Sequence, residues 1–349
     1  MLSDTDDDIR SLLLEATSDL PPLAPAHDRT VRRAHRRIIG TVSVVAVLIG
    51  LVVGASVSVV DRFDRTVPAK TPQRASGAWI VNITTGTWTR MEGLPRHAFW
   101  FSASADGTEI AVSGAVKHRS QIFVLRSDGT DLRQVTHDPY GASQPALSPD
   151  GRSLAYQGFG DSSTRNVFVM DLPAGVPHQV THERHDVSEL SWSPDGRRVL
   201  YSMSIQGPRD QKIFDDGASS VLKVVTVGTG RVEHVAGTHG WPADFGTWSP
   251  DGTRIAFMTG HEWTDNAYGF DPAEIWIMDA DGTNRRKVLT LSARAAGLTW
   301  SPSGSLTFSK LDGDAYSTSI VDVATGQTMR VATGFLPVWL SADTLIVQI

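Results

Sequence analysis

The chain has 349 residues, of which 40% are hydrophobic and 20% charged, and its net charge is -6. So mild an acidity excludes a nucleic-acid-binding face, because phosphates demand concentrated basic surface. The absence of cysteine excludes disulfides, thiolate chemistry, a Cys-based zinc site and lipobox acylation.

Residues 1–37 are polar, acidic at Asp4, Asp6, Asp7 and Asp8, proline-rich at Pro21, Pro22 and Pro25, and basic at Arg29, Arg32, Arg33, Arg36 and Arg37. This pattern predicts a mostly disordered tail. Ile9, Leu12, Leu13 and Ala16 offer one face of a short docking helix as the alternative. Residues 38–60 carry no charge and are dominated by Val, Ile, Leu, Ala and Gly. At 1.5 Å per residue they span about 34 Å, enough for the hydrocarbon core of a bilayer. The spacing predicts a single-pass transmembrane helix with membrane lipid as its partner. Arginines precede it, while Arg62 and Arg65 after it stand near aspartates, so the positive-inside rule places the N-terminus in the cytoplasm and the remainder outside. A cleaved signal peptide ending near Val53-Gly54-Ala55 is the competing reading. Residues 61–75, with Pro68 and Pro72 and no periodicity, read as a linker.

From residue 76 to 349 one phrase returns. Ser148-Pro149-Asp150-Gly151, Ser193-Pro194-Asp195-Gly196 and Ser249-Pro250-Asp251-Gly252 are near-identical, with looser copies at Ser104, Ser301 and Ser341. The serines are 44, 45, 56, 52 and 40 residues apart, the period of a four-stranded blade. Each copy is a hairpin turn in which Pro pre-sets φ and Gly supplies a positive φ. Strand-length runs such as Leu298-Thr299-Trp300 and Ile255-Ala256-Phe257 flank the turns, and a second hairpin follows about twenty residues on. Ala78 to Thr89 form a hairpin with no such turn before it, and Pro337 to Ile349 a first hairpin with nothing after it. The two halves predict one blade completed by both termini, which removes the open ring edge. Trp339 stands one residue out of register with Ser341, and Thr344 replaces the turn glycine, so a bulge or altered turn is expected there.

The succession from Trp248 to Thr290, with Ser-Pro-Asp-Gly, Ile-Ala-Phe and Ile-Trp-Ile-Met-Asp-Ala-Asp-Gly-Thr-Asn, resembles the WD40-like (PD40) repeat of TolB-type β-propellers. The resemblance implies an all-β, six-bladed β-propeller at 76–349, preceded here by a single transmembrane helix. It implies no particular ligand. TolB proteins bind envelope partners but carry an additional N-terminal α/β domain to which nothing here corresponds.

Propeller geometry puts the Ser-Pro-Asp-Gly turns on one face and the remaining loops on the other. Met203 to Ala218 and Thr259 to Ala273 read as long insertions on that second face, bringing Phe214, Trp263, Tyr268 and Phe270 together with Asp215, Asp216, Glu262, Asp265 and Asp271. Aromatics amid carboxylates suit a cationic or peptide-like ligand. His97, His137, His182, His185 and His239, the last near Trp241, each follow the fourth strand of a blade and are expected around the channel mouth. Lyases on related repeats bind a divalent metal through such histidines, but nothing in the spacing fixes a ligand geometry, and no metal or cofactor is assigned. His261-Glu262 and His182-Glu183 lack the second histidine of a zinc-protease helix, no Gly-x-Ser-x-Gly occurs, and Gly228-Thr229-Gly230 is a hairpin turn. The sequence thus points to a non-catalytic extracytoplasmic binding or scaffold module of the bacterial cell envelope, for a protein, peptide or envelope glycan, with transmembrane signalling as a variant. The alternative is a metal-dependent lyase or hydrolase acting on an envelope or extracellular polymer.

Overall fold

The computed structural model describes residues 76–160, 163–204, 220–237, 242–262 and 270–349. The predicted tail (1–37), transmembrane helix (38–60) and linker (61–75) lie outside the described residues. Among the described residues there are twenty-four strands and no helix, arranged as an all-β six-bladed propeller.

The first hairpin is β1 (Ala78–Asn82) and β2 (Thr87–Arg90). Blade one follows, with β3 (Phe99–Ala103), β4 (Glu109–Val116), β5 (Arg119–Arg126) and β6 (Arg133–Gln134). Blade two holds β7 (Ala142–Leu147), β8 (Ser153–Phe159), β9 (Arg165–Asp171) and β10 (His178–Gln179). Blade three holds β11 (Val187–Trp192), β12 (Arg198–Ser204), β13 (Ser220–Thr226) and β14 (Arg231–Ala236). Blade four holds β15 (Asp244–Trp248), β16 (Arg254–Glu262), β17 (Phe270–Asp279) and β18 (Arg286–Leu291). Blade five holds β19 (Ala295–Trp300), β20 (Leu306–Asp312), β21 (Ala315–Val321) and β22 (Thr328–Thr333). Last come β23 (Phe335–Trp339) and β24 (Thr344–Gln348), which complete a sixth blade in the order β2-β1-β24-β23. The closing register runs from Ala78 opposite Gln348 to Asn82 opposite Thr344. Pairing the two termini satisfies the backbone groups that an unclosed ring would leave open at a sheet edge.

The repeated turn is built by its own side chains. In the turns at Ser104, Ser148, Ser193 and Ser249 the Ser Oγ donates to the Asp Oδ1 two residues on, at 2.5–2.7 Å. The same Asp Oδ1 accepts the backbone N–H of Thr108, Arg152, Arg197 or Thr253. Gly107, Gly151, Gly196 and Gly252 all have φ between 66° and 71°, a left-handed conformation that costs glycine nothing. Gly107 has a second reason to be glycine: a Cβ there would stand 1.8 Å from the Leu340 carbonyl oxygen in the closing blade. In the sixth blade the expected irregularity is a turn shortened by one residue. Leu340 occupies the backbone place of the serine, its N–H bonding the Thr344 carbonyl, while Ser341 Oγ keeps the bond to Asp343 at 2.7 Å.

Buried side chains cluster between neighbouring blades. Tyr201, Val199 and Val221 of blade three meet Ala155, Val167 and Val169 of blade two, and Leu200 and Leu222 meet Ile255 and Met278 of blade four. Each buried Val, Leu, Ile or Met side chain among them contributes about 1.5–3 kcal/mol. Tryptophans closing the inner strands add directional bonds across the seams: Trp192 Nε1 donates to the Ala146 carbonyl (2.9 Å) and Trp300 Nε1 to the Thr247 carbonyl (3.2 Å).

The described ends of one predicted insertion continue the β16–β17 ladder, with Thr259 opposite Glu274 and Glu262 opposite Phe270, and its middle, 263–269, lies outside the described residues. Phe270 is 1% exposed and packs edge-on against Phe245 at 6.1 Å between ring centroids. It also pairs with Ala295, tying blade four to blade five. Phe270 is therefore a packing residue and leaves the set of candidate binding aromatics, because a side chain without accessible surface recognises nothing.

Candidate functional site

Each blade runs from an inner strand at the axis to an outer strand at the rim, so the loops sort into two faces. The inner turns and those joining third and fourth strands lie together: backbone N–H groups of Ser127, Leu172, Val227 and Ala280 donate to the carbonyls of Thr108, Arg152, Arg197 and Thr253. On this turn face the repeated turn geometry consumes the chemistry. Serine hydroxyls hold the carboxyls of Asp106, Asp150, Asp195 and Asp343 below the usual carboxylate range, and that of Asp251 at about 2.

The opposite face carries the loops between blades. After blades one and two these are anchored by matching devices. Gln121 Oε1 accepts from Thr136 Oγ1 (2.9 Å) and from the Asp138 N–H (3.1 Å), and Thr136 Oγ1 accepts the Ile122 N–H. In blade two Asn166 Oδ1 accepts from Thr181 Oγ1 (2.9 Å) and the Glu183 N–H (2.7 Å), and Thr181 Oγ1 accepts the Val167 N–H. The amide sits on the third strand and the threonine just past the fourth, so Gln-Val-Thr-His followed by Asp or Glu is the sequence signal for a fixed loop. His137 and His182 follow these threonines and are exposed. Gln179 Nε2 stands 3.1 Å from His182 Nδ1.

His97 is also exposed, in the loop from β2 to β3, with a left-handed φ of 52°. His185 is half-buried, and its neighbour Asp186 accepts from the backbone and guanidinium of Arg165. His97, His137, His182 and His185 thus share a face, and among the described residues no three His, Asp or Glu side chains come together as a metal would require. Phe214, Asp215, Asp216, Trp263, Asp265, Tyr268, His239 and Trp241 lie outside the described residues; Glu262 and Asp271 fall within β16 and β17. Exposed aromatics that sequence reading passed over stand here instead, Phe99 at the start of β3 (41% exposed) and Tyr140 in the loop between β6 and β7 (63%).

A half-buried cluster was also missed. Glu183 receives Tyr201 Oη (2.6 Å) and both its oxygens lie 2.9 Å from Lys223 Nζ, pinning the loop between blades two and three to β12 and β13. Burial and the Glu183 hydrogen bond push the Tyr201 hydroxyl far above its usual pKa, so it serves as a donor and not as an acid.

The axis holds a cavity of about 390 Å³ bounded by all six inner strands and reaching the turn prolines Pro149, Pro194, Pro250 and Pro302. Every inner strand carries a register shift. At each shift one residue is left-handed, with φ between 49° and 64°: Trp100, Gln144, Glu189, Phe245, Gly297 and Leu336. Each stands four positions before the turn serine or, in blade six, before Leu340. Only one is glycine, so five side chains hold a conformation that costs of order 1–3 kcal/mol. Residue type gave no signal for these bulges; only their constant distance from the turn marks them.

No family model matches the chain. It is 26% identical over 210 residues to the uncharacterized peptidase YuxL of Bacillus subtilis (strain 168), a match covering 58% of this chain and 28% of that protein; the chain spans less than a third of that relative's length. Among solved structures it is similar to a TolB-type protein from Agrobacterium tumefaciens, with a TM-score of 0.63 at 18% identity over 79% of this chain and 99% of that one. TolB from Acinetobacter baumannii gives a TM-score of 0.57 at 18% identity, over 76% of this chain and 66% of that chain. At such identities the likeness establishes the fold, a TolB-like six-bladed propeller.

Proposed function

We propose that the propeller is a non-catalytic binding module that takes a protein or peptide partner on the face bearing the loops between blades. One observation carries the reading, the asymmetry of the two faces. On the turn face, serine and aspartate side chains are spent on backbone geometry. On the other, the anchored loops after blades one and two present His137, Tyr140 and His182 to solvent, and the loop from β2 to β3 presents His97 and Phe99. Exposed aromatic and imidazole groups on rigid loops recognise partners at low entropic cost. Residues 38–60, as a membrane-spanning segment, anchor this module with the propeller outside the cytoplasm. TolB proteins of the same fold add support for a polypeptide partner.

The test is site-specific photocrosslinking of the full chain in its host membrane. A photoreactive phenylalanine at Tyr140 is expected to capture a discrete polypeptide, and one at Arg197 on the turn face is not. Capture from Arg197 alone overturns the assignment of the face, and capture of a glycan at Tyr140 replaces the polypeptide partner. If Tyr140 or the insertion residue Trp263 is a central anchor, its replacement by Ala lowers affinity by roughly thirtyfold.

A further inference from the structure

The tip of blade one gathers positive charge on the face bearing the loops between blades. Lys117 and His118 form the turn from β4 to β5, Arg119 opens β5, and all three are exposed. The loop from β2 packs onto one side of this tip, where the Ala115 N–H donates to the Arg96 carbonyl at 2.7 Å. Gly114 permits that approach, since a Cβ there would stand 2.5 Å from Pro95 Cγ. The loop from β6 flanks the other side, where Gln121 Nε2 donates to the Asp138 carbonyl at 2.7 Å. Exposed Arg96, His97, His137 and Tyr140 therefore stand around the Lys117–Arg119 tip.

This charge is unbalanced. On the turn face the arginines sit beside turn carboxyls, Arg126 near Asp128, Arg152 near Asp150 and Arg197 near Asp195. On the loop face Arg165 pairs with Asp186, and Lys223 with Glu183. Arg96, Lys117 and Arg119 have no ion-pair partner among the described residues. Of the carboxylates in the two flanking loops, Glu92 stands 4.0 Å from Arg90, and Asp138 Oδ1 accepts the N–H groups of Tyr140 and Gly141. The equivalent tip of blade five is acidic, with Asp312 and Asp314, so the positive charge belongs to blade one and not to the face as a whole.

We infer that this patch binds an acidic segment of a polypeptide, its carboxylates meeting Arg96, Lys117 and Arg119 and an apolar side chain lying against Tyr140. Unpaired guanidinium and ammonium groups make strong bonds to carboxylates, and a local potential opposite to the partner's orients the encounter. Tyr140, 63% exposed, adds contact area, and Tyr and Arg are residue types enriched at polypeptide interfaces. The bonds of Gln121 hold the flanking loop in place beforehand, which lowers the ordering cost of binding. The inference rests on the polypeptide reading above and adds the charge of the partner.

The experiment measures binding of fluorescent probes to the full chain in phosphatidylcholine nanodiscs. The probes are a glutamate-rich peptide containing phenylalanine, the same peptide with lysine for glutamate, and an oligoglucuronate matched in charge to the first. The glutamate peptide is expected to bind, and to bind more weakly as salt rises. Lys117→Glu combined with Arg119→Glu is expected to weaken it at least about tenfold, the scale of a lost charge-assisted hydrogen bond, while Arg197→Glu on the turn face leaves it unchanged. Arg96→Gln, outside the hairpin, weakens it in the same direction and decides the matter if the double variant fails to fold. Equal binding by wild type and these variants, tighter binding of the lysine peptide or of the oligoglucuronate, or no binding of the glutamate peptide up to about 1 mM overturns the inference. The polypeptide reading fails separately. A polypeptide captured at Tyr140 equally well by the charge-reversed double variant overturns the acidic partner and keeps the face, whereas no polypeptide captured at Tyr140 overturns the face.

Discussion

At the residue scale, the turn aspartate does two jobs with one oxygen, receiving a serine hydroxyl and a backbone N–H. Both bonds favour the ionised form, so the folded carboxyls titrate below the roughly 3.9 expected of an unfolded chain. The stabilisation is therefore complete above pH 4 or so and is lost as pH falls through the folded values, with Asp251 the last to protonate at about 2. These carboxyls are exposed, so each effect is small and only their sum is measurable. The melting temperature of the full chain is expected to drop on acidification from pH 4 toward 2. Replacing Asp150, Asp195 and Asp251 together by Asn should flatten that acid limb while lowering stability at neutral pH; an unchanged acid limb would show that the turn carboxyls do not govern it.

At the element scale, β24 is the strand on which closure depends. It pairs with β1 on one side and β23 on the other, and its Leu345, Ile346 and Val347 are fully buried. At about 1.5–3 kcal/mol each, these three side chains alone represent several kcal/mol. A domain's net stability is only about 5–15 kcal/mol. Deleting Leu345 to Ile349 should accordingly unfold the propeller or drive it into edge-to-edge aggregates, and Ile346→Ala should cost about 2–5 kcal/mol in a denaturant titration. Retention of the full melting temperature and solubility after the deletion would mean that the termini do not close the ring.

At the scale of the whole molecule, the proposed topology sets an expectation for intact cells. Protease added to spheroplasts is expected to degrade the propeller and spare the N-terminal tail, in keeping with the arginines that precede residue 38. Full protection of the propeller would reverse the orientation, and a soluble propeller beginning near Ser56 would identify a cleaved signal instead.

The sequence by itself determined the blade count, the turn chemistry and the closure by both termini, because those features are local and repeat. Pro, Asp and Gly act through φ and through bonds reaching only a few residues along the chain. It also placed His137 and His182 on the face opposite the turns, since strand parity fixes which loops share a side. Only the tertiary structure decided that Phe270 is core, because its burial depends on Phe245 and Ala295, residues of other strands. Only the tertiary structure likewise brought Glu183 to Tyr201 and Lys223, and set six left-handed residues around one axis with Glu189 among them. Those arrangements come from strands and loops far apart in the chain that meet only when the blades pack and the ring closes, a condition that no window of sequence contains.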